Sequence, residues 1–209
     1  MASAEAAPTI LAGLGIGLAL ASAPGPVQVV VLGEALNGGL ARGFRAVAGA
    51  SASFGLLLIL LALGLSLAAP GGVILRALQL VAGGFLIWLA VDALRVQRGE
   101  PTTGRDRRSL PAAAKGSLAV LLNPGAWLFL VAVAAPLLAT AAQAGGRGVA
   151  VIVALALMVG AAAGDCAIVV LGATALRRAG PRTGRLVHRF LAFVLGAIGG
   201  GLLAGGLIG

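Results

Sequence analysis

Ala21-Ser22-Ala23-Pro24-Gly25-Pro26-Val27 interrupts one long apolar run, and Leu121-Leu122-Asn123-Pro124-Gly125-Ala126-Trp127 interrupts another. Proline has no backbone N–H, and its ring clashes with the carbonyl four residues back. Each interruption therefore predicts a helix that stops and restarts inside an apolar segment. Pro is well placed at the first position of a restarted segment, and Ser22 and Asn123 are residue types that cap one. Each restart offers a helix N-terminus, with partial positive charge and free N–H donors suited to a carboxylate. A single break reads as an ordinary kink; two in matching positions point to a binding site built from Pro24, Gly25, Pro26, Asn123, Pro124 and Gly125.

Outward from the breaks, six apolar stretches are legible: Thr9–Leu32, Ala46–Ala69, Val73–Leu94, Gly116–Ala142, Gly148–Leu176 and Phe190–Ile208. Each is long enough to cross a ~30 Å hydrocarbon core as a helix, and none alternates as a barrel strand would. The composition agrees. Of 209 residues, 60% are hydrophobic and only 10% charged, too few to cover a soluble domain. The fold class is all-α integral membrane, with six transmembrane helices. The first and fourth are broken, and a polar segment, 96–115, separates residues 1–95 from 116–209. Three helices per half is an odd number, so the second half enters from the opposite side. The halves are inverted repeats, a plan of secondary transporters.

The net charge is +9, but nucleic acid is not the partner it implies. The basic residues lie in short gaps between apolar runs, not along one helix face. Thirteen of the 15 Lys and Arg residues fall in the odd-numbered gaps: Arg42 and Arg45; Arg95 to Lys115; Arg177 to Arg189. Only Arg76 and Arg147 fall in the even ones. The odd gaps are then cytoplasmic and both termini face outward. Ala21-Ser22-Ala23 resembles a signal-peptide cleavage site, but no basic residue precedes it, so the segment reads as a retained first helix.

Asp165 lies deep in the fifth stretch, where a carboxylate costs at least ~2.5–3.5 kcal/mol on insertion scales. Its offset is a substrate amine, a coupling proton or a hydrogen bond to a neighbouring helix; the first two make it a transport-site residue. Gly160-Ala161-Ala162-Ala163-Gly164 before it admits close approach of another helix. Gly196, Gly200, Gly201 and Gly205 have similar spacing on the last helix, fitting internal packing or a homodimer. Glu34 reads as an interfacial residue, with the lining of an inner vestibule as its alternative, His188 as a solvated loop residue, and Trp88 and Trp127 as packing or interface residues.

Ala23-Pro24-Gly25-Pro26, Gly38-Gly39-Leu40-Ala41-Arg42-Gly43 leading to Gly49, Gly83-Gly84-Phe85-Leu86-Ile87-Trp88-Leu89 through Ala93-Leu94-Arg95, and Leu121-Leu122-Asn123-Pro124-Gly125-Ala126-Trp127-Leu128-Phe129 occur in this order. Together they resemble the LysE/RhtB family of amino-acid exporters over most of the chain. The resemblance implies proton- or gradient-driven export of amino acids or related small metabolites across the bacterial inner membrane, without cofactor or resident metal. It carries the two breaks and Asp165 over as transport-site positions. Two departures bear on substrate. Gly125 stands where the family often has Lys, and Gly49-Ala50-Ser51-Ala52-Ser53-Phe54 stands where it often has an acid. A neutral zwitterion then fits better than a substrate with two positive centres.

Other functions fare worse. A divalent metal-ion exporter needs several ligands, and Asp165, Asn123, Cys166 and a few serines are a thin set. A thiol–disulfide enzyme needs two cysteines; the chain has one. No hydrolase motif is present, so an enzyme is not expected. A non-transport assembly role predicts that Asp165 is dispensable.

Overall fold

The computed structural model describes residues 2–23, 25–64, 72–97, 110–178 and 180–208. Among these every regular element is helical: α1 (Ala2–Ser22), α2 (Pro26–Gly38), α3 (Leu40–Ala62), α4 (Gly72–Gln97), α5 (Ala112–Leu121), α6 (Pro124–Phe129), a π-helical turn (Leu130–Ala134), α7 (Ala135–Arg178) and α8 (Gly180–Ile208).

The first break lies where the prolines place it. Segments Ala7–Ser22 and Pro26–Gly38 meet at 68°, and Pro26 opens α2. Pro24 lies outside the described residues. Ser22 does not cap α2 as its type predicts. Its hydroxyl donates back to the Ala19 carbonyl at 2.6 Å, and extended Gly25 holds the cap position without a side chain. At the second break Asn123 does cap, its Oδ1 accepting from the Gly125 N–H at 3.0 Å. The helix then widens at Leu130–Ala134. Pro136 explains this, because it cannot donate to the Ala132 carbonyl and its ring pushes that carbonyl away.

Three helical stretches among the described residues are long and apolar enough to span a membrane: Leu40–Ala62, Pro124–Ala175 and Arg189–Leu207. The bent pair α1–α2 makes a fourth. Pro124–Ala175 has 52 residues, about 78 Å of helix and far more than one crossing. It breaks at Gly145 and Gly146, where Gly146 has φ 77°, a left-handed conformation that glycine adopts without a Cβ penalty. The break folds the stretch on itself, for Leu130, Leu138 and Ala141 share one buried cluster with Val153 and Leu157.

Two expected gaps are helical. Residues 112–115 open α5 and bring Lys115 into the interior, 2% exposed. The Arg-rich gap after the fifth stretch is the start of α8, from Gly180, so His188 lies on a helix rather than in a loop. Glu34 is corrected as well: it is buried inside the bundle, not interfacial.

Packing is by close backbone approach, as small residues permit in lipid. α1 lies on α7, α3 on α5 and α7, and α4 on α8. At three of these contacts the glycines are reciprocal. A Cβ on Gly17 would strike the Leu157 carbonyl, and one on Gly160 the Leu14 carbonyl. Gly49 and Gly116 stand in the same relation to the carbonyls of Ala113 and Ala46. A Cβ on Gly83 would lie 2.7 Å from the Gly199 carbonyl, and one on Gly199 2.9 Å from that of Gly83. The Gly160–Gly164 run thus receives α1, as its composition predicts. The stripe on the last helix is used differently: the close contact is made by Gly199, outside it, while Gly196 and Gly205 face Ala90 and Gln79 at ordinary contact distance and Gly200 and Gly201 face open space. Leu11, Leu56, Leu171, Phe193 and Leu207 are among the large apolar side chains left exposed, as a lipid-facing surface requires.

Candidate functional site

The two helix breaks meet at one cavity of about 320 Å³. The end of α1 contributes Leu20, Ala21 and Ala23; the start of α2 contributes Gly25 through Gln28. Ala50, Ser51 and Phe54 come from α3, and Val120 from α5. Asn123, Gly125 and Ala126 come from the second break, and Ala161 and Asp165 from α7. This volume lies at the small end of ligand sites.

Five of the seven residues expected at the site therefore line one space: Gly25, Pro26, Asn123, Gly125 and Asp165. Pro124 is half-buried beside it without lining it, and Pro24 lies outside the described residues. Asp165 is 6% exposed. It accepts one hydrogen bond, from Gln28 Nε2, at 3.3 Å. No Lys, Arg or His lines the cavity, so a buried carboxylate faces it with a single neutral donor. That arrangement suits a cation or a proton entering from the cavity.

The two helix starts are not equivalent. In α6 the first-turn donors are spent. Gly125 bonds the Asn123 side chain, and the N–H groups of Ala126 and Trp127 reach the Asn123 carbonyl at 3.0 and 3.3 Å. Trp127 Nε1 donates to the Leu121 carbonyl at 2.8 Å and ties α5 to α6 across the break. In α2 the Val29 N–H takes the Gly25 carbonyl at 3.2 Å. The amides of Val27 and Gln28 have no acceptor within the helix by position, and no side chain caps them. Any backbone recognition of a carboxylate is thus concentrated at α2. The Asn123→Ala variant loses its cap and should cost ~0.5–2 kcal/mol of stability, read as a lower midpoint in detergent thermal unfolding.

Gln28, Ser51 and Phe54 are lining residues that the sequence did not single out as site residues. Gln28 falls one helical turn after the first break, which is the one signal that could have found it. Ser51 and Phe54 have no local signal. Among the described residues no group of three or more His, Cys, Asp or Glu side chains could hold a metal ion.

No curated protein and no solved structure matches the chain. Residues 18–206 match the LysE type translocator family, nearly the whole chain, so the protein belongs to that family of membrane transporters rather than to a family of enzymes.

Proposed function

We propose that the protein is a secondary transporter exporting amino acids or related small metabolites across the bacterial plasma membrane. The observation that carries this reading is the cavity where both helix breaks meet around the buried Asp165 carboxylate. A substrate ammonium, or the coupling proton, sits at Asp165. The substrate carboxylate meets the open amides at the start of α2, beside Asn123 and Gly125. Leu20, Val27, Phe54 and Val120 offer apolar contact to a small side chain.

The reading includes six crossings as two inverted repeats, 1–95 and 116–209, joined by a cytoplasmic linker, 96–115, with both termini outside. Helix pairing supports it. Exchange of the halves would swap the first crossing with the fourth, the second with the fifth and the third with the sixth. Under that exchange the reciprocal glycine contact of α1 with α7 becomes that of α5 with α3, and the Gly83–Gly199 contact maps onto itself. Rocking of one half on the other would expose the cavity to each side in turn.

A ligand that binds the folded state at 100 times its Kd raises stability by ~2.7 kcal/mol. Among the common amino acids, added singly to purified protein, at least one small neutral member should raise the thermal midpoint in this way. A screen in which none does so at millimolar concentration contradicts an amino-acid site.

A further inference from the structure

Glu34 has no part in the cavity, yet it is 4% exposed inside a membrane protein. Its Oε1 accepts from Lys115 Nζ at 2.9 Å, and its Oε2 accepts from Arg42 Nε at 2.5 Å. Lys115 Nζ also stands 5.6 Å from the centre of the Trp88 ring. Four helices converge on this cluster: α2 by Glu34, α3 by Arg42, α4 by Trp88 and α5 by Lys115.

Its position matters more than its composition. α2 lines the cavity at Gly25–Gln28 and carries Glu34 about 9 Å beyond Gln28. α5 reaches the cavity at Val120 and carries Lys115 about 8 Å before it. The two charges therefore meet at equal depth below the cavity, on the side where the Arg-rich gaps lie. They join the two half-helices that flank the way from the cavity to that side. Arg42 is one-third exposed at its side chain, while Glu34 and Lys115 are almost fully covered. The cluster runs from the rim inward.

We infer that the Glu34–Lys115 ion pair, closed at its rim by Arg42, is the gate of the transport path on the Lys- and Arg-rich side. The inference rests on the transport reading and on the cytoplasmic assignment of that side. A buried ion pair suits a gate, because its attraction is largely offset by desolvation. When water enters between α2 and α5, each charge is hydrated separately and the pair can part. When water leaves, an unpaired charge there is costly, so the halves return to register. No matching pair spans the other side among the described residues, where the lining from α1 and α6 is Leu20, Ala21, Ala23, Gly125 and Ala126.

The test needs no substrate. In a Cys166→Ser background, Ser51→Cys places the only thiol on the cavity wall. Its modification by a membrane-impermeant cationic methanethiosulfonate is timed from each face of sealed vesicles. Glu34→Gln should raise the rate from the Arg-rich face at least ~tenfold, as expected when a coupling that holds one state is removed, with no rise from the opposite face. The exchanged pair Glu34→Lys with Lys115→Glu, made together with Arg42→Gln so that no cation faces the new lysine, should bring the rate back towards that of Arg42→Gln alone. If Glu34→Gln fails to fold, Arg42→Gln reads the same quantity at the rim, with a several-fold rise expected. An unchanged rate from the Arg-rich face, or an equal rise from both faces, overturns the gate and leaves the transport reading standing. A thiol unmodified from either face in every variant overturns the path itself, and the gate with it.

Discussion

Asp165→Asn should lower transport at least ~30-fold while leaving the fold intact or slightly more stable. The carboxylate is buried with a single neutral donor, Gln28, and a carboxylate in a membrane interior is costly. Asparagine keeps the shape and the Gln28 hydrogen bond and removes the charge. A hydrogen bond to a charged group is worth ~1.5–3 kcal/mol, or roughly 10- to 150-fold in affinity. If Asp165 carries the coupling proton instead, asparagine cannot take it up and gradient dependence disappears. The measurement is initial transport rate in proteoliposomes beside the thermal midpoint of the same preparation. A structural role reverses the pattern, with the midpoint falling and the rate of the folded fraction preserved.

The second large effect concerns packing. Gly49→Leu and Gly160→Leu should each prevent accumulation of folded protein or cost ~3 kcal/mol or more, the upper range for overpacking. In both, the added Cβ strikes a backbone carbonyl, of Ala113 or Leu14, and no rotamer relieves that. Gly84 is the contrast. A Cβ there meets nothing within 4 Å, so Gly84→Ala should be neutral or stabilise by ~0.5–1 kcal/mol. Fluorescence-detected size exclusion after a heating series separates the three variants. Equal behaviour of Gly49→Leu and Gly84→Ala would contradict the close α3–α5 contact.

Much of this was legible in the sequence because the signals are local. Proline and glycine inside an apolar run announce a break wherever they occur, and Asn123 beside Pro124 announces the cap that forms. A charged residue inside such a run announces a cavity or a partner, which is why Asp165 stood out. Glu34 and Lys115 escaped for the opposite reason. Each lies near the end of an apolar stretch, where a charge ordinarily reaches interfacial water, and only the convergence of α2, α3, α4 and α5 buries them. Ser22 failed as a cap for a similar reason. Its hydroxyl was closer to the preceding turn, and bonding there is a common alternative for serine. The Arg-rich segment before the last stretch looked like a loop by composition, yet Gly180 and Pro181 open a helix that continues through it. The partners of each glycine were not legible, because the sequence fixes where close approach is possible and the tertiary fold decides what approaches.

If the cavity around Asp165 is a transport site for a small amino-acid-like substrate, efflux from proteoliposomes preloaded with labelled amino acids, with and without an imposed proton gradient, should separate the parent protein from Asp165→Asn. The expected result is gradient-accelerated efflux of at least one small neutral amino acid by the parent and near-background efflux by the variant. Efflux of none of them by the parent, or equal efflux by both proteins, would contradict that reading of the cavity.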